Sequence, residues 1–332
     1  MANQTLTGTN ASYLLSSSLY TLTNLGVVGS GSIPIGLTFT GTGDTIGNSG
    51  TITGSSFGVS ASSRLSVTNS GTGSSINGSG ASGTGIRLAA GGDVTNLTGG
   101  IIGGYIGISA GGGAGTVVNA GQILVPHTAA NAMAIGLSAG GTVTNRAGGL
   151  IGGAHGVQIT GGAGSVVNLG QINSDYGPPS SIGVYLSNGG QVVNGAAGGT
   201  VSTAAILGYA QAVLFGAAGG AGTVVNYGSI YGQGQSAVLM LTNGTVINGA
   251  SGATGAEIWV GAAAVIDIAG VGTVTNYGTI RVAGGGEPPR RGSAFSCAML
   301  GRSVTSAPRR RSQAITAAST ARTTTPSSPA AR

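Results

Sequence analysis

Gly112-Gly113-Ala114-Gly115-Thr116-Val117-Val118-Asn119-Ala120-Gly121-Gln122-Ile123 is the stretch on which the reading of this chain turns. It returns as Gly161-Gly162-Ala163-Gly164-Ser165-Val166-Val167-Asn168-Leu169-Gly170-Gln171-Ile172, and again from Gly219 to Ile230. A looser copy runs from Val271 to Ile280. A second motif alternates with it. Gly91-Gly92-Asp93-Val94-Thr95-Asn96 leads to Gly99-Gly100-Ile101-Ile102, and Gly140-Gly141-Thr142-Val143-Thr144-Asn145 leads to Gly148-Gly149-Leu150-Ile151. Gly189 to Asn194 and Asn243 to Asn248 continue that series.

The motif asparagines fall at Asn96, Asn119, Asn145, Asn168, Asn194, Asn226, Asn248 and Asn276, with gaps of 23, 26, 23, 26, 32, 22 and 28 residues. Like motifs recur 49 residues apart. A period in this range is the signature of a stacked repeat architecture. Each unit holds three short apolar pieces. One precedes the asparagine, as in Thr116-Val117-Val118. One follows it, as in Gln122-Ile123-Leu124. A third comes later, as in Ile135-Gly136-Leu137 or Val157-Gln158-Ile159. Several alternate with period two, as half-buried strands do, and glycine pairs separate them as turns require. No stretch carries a capped 3.6-residue apolar stripe, so almost no helix is expected.

Three strands and three turns per 22 to 32 residues predict one coil of an all-β, right-handed, single-stranded parallel β-helix. Successive coils stack about 4.8 Å apart, so roughly eleven coils make a rod of about 50 Å. The reading divides the chain into degenerate N-terminal rungs at 1–84, regular β-helix repeats at 85–285, and a disordered basic tail at 286–332. In the first part Asn24, Asn48 and Asn69 repeat the Asn-x-Gly signal.

Composition agrees with an array that has glycine at its corners. Gly is 69 of 332 residues without a Gly-X-Y period, which excludes collagen. Residues 1–285 hold four arginines against five acids, whereas residues 286–332 hold eight arginines against Glu287. The net charge of +6 therefore belongs to the tail, and no basic face points to nucleic acid. The single Cys297 excludes a disulfide framework in the array. The longest apolar run, Ile258 to Ile266, is too short to span a membrane as a helix. No apolar run preceded by positive charge opens the chain.

The asparagines read as a ladder in which side-chain amides at a turn bond one another and nearby backbone along the stack. The alternative is a row of polar ligands. The five carboxylates of the array are spread over as many rungs, and Glu257 and Asp267, ten residues apart, differ in strand context. Glycosidase or lyase chemistry needs such groups together. His127 and His155, 28 apart, have no evident third metal ligand and read as surface or loop histidines. Glycine runs such as Gly111 to Gly115 lack the Lys-Ser/Thr and the strand-to-helix context of a phosphate loop. Trp259 reads as an apolar residue capping a rung rather than as a sugar platform. No catalytic residue, metal site or cofactor is expected. Insertions are expected at Val125–Ala132, at Asn173–Ser181 and around Thr203–Gln211, and insertions on one face of a solenoid are often its binding face.

Through Gly115 to Ile123 and Gly272 to Ile280, the chain resembles the passenger region of bacterial autotransporters and related large surface adhesins. The resemblance spans about residues 1–283 and implies a right-handed β-helix on the outer surface of a Gram-negative cell. Its implied function is a non-catalytic surface rod, monomeric, that displays loops toward a surface glycan or protein receptor. A carbohydrate-active β-helix enzyme is the alternative. An ice- or mineral-binding array ranks third, because Thr-x-Thr at 5–7, 21–23, 51–53 and 273–275 does not look aligned through consecutive rungs. Such families carry a signal segment and a membrane barrel. The Arg/Pro/Ser/Thr/Ala run past Gly286 reads instead as a slipped or truncated reading frame in GC-rich coding DNA.

Overall fold

The computed structural model describes residues 2–198, 203–252, 254–261, 263–282, 295–297 and 303–306. Among these there is no helix. The strands fall into three sheets of 13, 12 and 12 strands, in which each strand pairs with the strand three places on in the chain. Every pairing is parallel, as in Gly92–Asn96 on Gly115–Asn119 and Gln122–Leu124 on Leu150–Gly152. The chain therefore visits sheets A, B and C in turn and climbs one strand spacing per circuit. At about 4.8 Å per step, the twelve steps of the 13-stranded sheet A span about 58 Å.

The core follows from the repeat. In a Gly-Thr-Val-Val-Asn strand the first, third and fifth residues face inward and the second and fourth face out. Because the register never slips, each inward residue lies above its counterpart. Sheet A stacks Val94, Val117, Val143, Val166 and Val192. Sheet B carries isoleucine at every rung from Ile52 through Ile76, Ile102, Ile123, Ile151, Ile172, Ile206 and Ile230 to Ile258. Sheet C supplies a column from Leu37 to Ile266 and a larger one holding Phe39, Leu137, Phe215 and Met240. All of these are buried. Identical β-branched side chains nest in a single rotamer, which makes this packing regular along the axis.

Alternating turns explain the 49-residue super-repeat. The rungs of Asn96 and Asn145 enter sheet A through three residues, 89–91 and 138–140, and leave it through four, 97–100 and 146–149. The rungs of Asn119 and Asn168 enter through four, 111–114 and 160–163, and leave through two, 120–121 and 169–170. The three-residue entry needs two glycines in succession: Gly140 and Gly141 have φ of 72° and 141°. A β-carbon on Gly141 would lie 2.2 Å from the Gly115 carbonyl oxygen, so no other residue fits.

The N-terminal third, expected to be degenerate, stacks in the same three sheets from Ala2 onward. In the segment expected to be disordered, Phe295–Cys297 and Ser303–Ser306 are strands that pair with Ile266–Ile268 and Thr273–Asn276. The rung pattern thus continues past Gly286; the rest of 286–332 lies outside the described residues.

Candidate functional site

The asparagines must be placed first, since they are the most regular polar feature. All eight end a sheet-A strand and point inward, and Asn24, Asn48 and Asn69 extend the column to eleven. Each side-chain amide donates to the carbonyl oxygen of the next, at 2.7–2.9 Å, without a break from Asn24 to Asn276. The same nitrogen also faces backbone oxygens: for Asn168 these are Gly170 at 3.1 Å and Ala205 at 3.0 Å. Ten of the eleven are 0% exposed, and Asn276 at the end of the ladder is half-buried. Burial with every polar atom partnered leaves nothing to offer a ligand, so the ladder belongs to the frame.

The insertions are where the surface departs from the repeat. Two of the three expected ones are turns from sheet B to sheet C: 125–132 and 175–181. The rung between them crosses the same corner with Gly153 and Ala154 alone, so the two loops stand next to each other. His127 in the first meets Tyr176 in the second edge to face, with centroids 6.4 Å apart. The third expectation is corrected. Among the described residues the extra ones of the 32-residue gap lie at 195–198, 203–204 and 216–221, whereas Tyr209 sits in an ordinary two-residue corner between Ala205–Gly208 and Gln211–Phe215. That corner still joins the site. The Tyr209 and Ala210 amides donate to the Ser174 and Ser181 carbonyls, at 3.1 and 2.8 Å, and fasten both ends of the 175–181 loop.

Against this corner lies a cleft of about 370 Å³, lined by Asp175, Tyr176, Gly177, Tyr209, Tyr231 and Gln233. Tyr176 is 75% exposed. Tyr231 stacks on Trp259, the next residue in its sheet-B column, at 3.8 Å and 24°. Arg281, one rung further, holds its guanidinium 4.7 Å from the Trp259 ring centre and reaches Glu257 at 3.9 Å. Trp259 therefore stands on the outer face of sheet B and caps no rung. Its faces are taken by Tyr231 and Arg281, which leaves neither open as a sugar platform.

Of the six buried polar side-chain atoms without a partner among the described residues, four crowd here: His127 Nδ1, Ser174 Oγ, Asp175 Oδ1 and Ser181 Oγ. Burial pushes the Asp175 carboxyl above its ordinary value, opposed by its own backbone amide and by His127. Burial and the Asp175 charge raise Tyr231. His155, below the loops, is held by protein on both nitrogens. Its Nδ1 accepts from the Ile182 amide at 3.3 Å, which leaves Nε2–H to donate to the Ala130 carbonyl at 3.0 Å. Burial holds it below the usual histidine range. No group of three His, Cys, Asp or Glu gathers among the described residues.

The remaining acids are dispersed: Asp93 on sheet A paired with Arg64, Glu257 on sheet B, Asp267 on sheet C, and Asp44 accepting the Tyr20 amide. Thr-x-Thr, as expected, does not repeat through consecutive rungs. Thr21, Thr45, Ser66, Asp93, Thr116, Thr142, Ser165, Gln191, Thr223, Thr245 and Thr273 form one aligned outward column on sheet A. Within that column Thr-x-Thr at 21–23 and at 273–275 stands ten rungs apart, and at 51–53 it lies on sheet B. Threonine, serine, aspartate and glutamine share the position. Threonine there suits a pleated, half-buried surface.

No family model, curated protein or solved structure matches this chain.

Proposed function

We propose that the chain is a non-catalytic rod of the surface-passenger kind that its repeats resemble, and that it meets a glycan or protein receptor through the paired loops 125–132 and 175–181. The observation that carries this reading is the contrast between frame and loops. The core columns run from rung to rung and the ladder is unbroken from Asn24 to Asn276, while the two long sheet-B-to-C turns fall two rungs apart on one edge of the rod and border a cleft with unpartnered polar groups. Binding sites concentrate on loops held by a rigid scaffold. The dispersal of carboxylates over three sheets gives no support to the enzyme alternative, whose chemistry needs two of them within about 10 Å.

The test replaces each long loop by the Gly-Ala turn that the intervening rung already uses. The parent rod and the short-loop variant are applied to an array of surface glycans and to intact host cells. Binding by the parent and its loss in a variant with an unchanged β circular dichroism spectrum are expected. Equal binding by both would move the contact elsewhere on the rod.

A further inference from the structure

We propose that the cleft between Asp175, Tyr176, Tyr209 and Tyr231 binds an organic cation, a quaternary or alkylated ammonium head. The inference stands on the cleft alone and holds whether or not the rod is displayed on a cell.

Three tyrosines and one carboxylate line the cleft, with Gln233 as the remaining polar side chain. Aromatic faces carry negative charge density, and such rings arranged around a space attract alkylated ammonium groups. Tyr231 has one face already stacked on Trp259. Trp259 does not line the cleft, whereas Tyr231 does. The far end of this stack already holds a cation, the Arg281 guanidinium on Trp259.

Charge points the same way. Asp175 Oδ1 is buried without a partner. No arginine lines the cleft, and the chain has no lysine. The four arginines of the array are placed elsewhere: Arg64 on Asp93, Arg87 over Phe57, Arg146 in the turn after Asn145, and Arg281 beyond Trp259. The groups facing the Asp175 carboxylate are His127 and Tyr231. A metal ion is a poor match, because hard cations demand six or more oxygen ligands and one carboxylate supplies two. An alkylated ammonium asks only for a soft wall and a single counter-charge. The volume lies within the range of small-ligand sites.

The probe is choline, titrated into the full chain by calorimetry and by Trp259 fluorescence. Its neutral carbon isostere, 3,3-dimethylbutan-1-ol, serves as the control. Choline is expected to bind at least about tenfold more tightly than the isostere. Asp175→Asn is expected to weaken choline by a similar factor, with an unchanged thermal midpoint. Tyr176→Ala, at an exposed position, should weaken it without touching the fold. Affinity should fall as pH drops and Asp175 gains a proton.

Phosphatidylcholine vesicles form a further arm. Pelleting with them assigns the head to a lipid, and choline binding without pelleting assigns it to a soluble or polymer-borne molecule. Equal affinity for choline and its isostere would overturn the proposal, as would an Asp175→Asn variant that binds choline like the parent. Absence of binding by both choline and vesicles would overturn it as well.

Discussion

At the scale of single residues, the ladder is the most informative feature and the most legible one. Asn168 accepts from Asn145 and donates to Asn194, both at 2.8 Å, inside a fully buried column. Asn168→Ala removes both bonds and leaves two neighbours with unmatched groups, a loss of about 1–3 kcal/mol. Asn276→Ala, at the half-buried end, should cost clearly less. Denaturant midpoints of the two variants check the ordering. Sequence showed these asparagines because one amide per rung at one spacing has a simple physical use. It did not show the His155 arrangement, since partners at Ala130 and Ile182 depend on how an irregular loop folds. That site has a pH signature. Burial lowers the folded-state value of His155 below the unfolded 6.5, so its contribution is fully present above pH 6.5. The contribution is lost as pH falls through the folded value. Thermal midpoints from pH 7.5 to pH 5 should fall, and His155→Leu should flatten the fall.

At the scale of elements, strands were readable and corners only in part. Alternation in Gly-Thr-Val-Val-Asn fixes which side chains turn inward, so sheet A followed directly from the repeat. Corner lengths carry no such alternation. The insertion expected around 203–211 was therefore placed one corner too late. Trp259 was misread for a related reason, since its outward position shows only once its register with Tyr231 is known. The glycine corners permit a sharp comparison. Gly148 has φ of 81° with open space where a β-carbon would go, so Gly148→Ala should cost about 1–2 kcal/mol of conformational strain alone. Gly141→Ala adds a 2.2 Å approach to the Gly115 carbonyl and should cost distinctly more. Parallel urea melts decide it, and equal losses would mean that the backbone relaxes at this corner.

At the scale of the whole molecule, the rod has no single centre. In the sheets each strand pairs only with those of the rungs above and below, so stability is largely a sum of local terms. Ile151→Ala, in the middle of the sheet-B column, should cost about 2–5 kcal/mol. Hydrogen exchange should report that loss near Ile123, Ile151 and Ile172 and leave rungs beyond Ile258 protected. Loss of protection along the full length would mean that the array melts as one unit. A second whole-molecule feature is the freedom of the corners. Among the described residues the turn from sheet A to sheet B varies from two residues at 120–121 to five at 70–74, while Asn69 still pairs with Asn96. Register is set inside the rod and is indifferent to what the corners contain. Heritable change can therefore act on the two separately. A gene of this design can try new recognition surfaces by small insertions and deletions at the corners, with no compensating change in the frame, and so adapt quickly to a new contact while its shape stays constant.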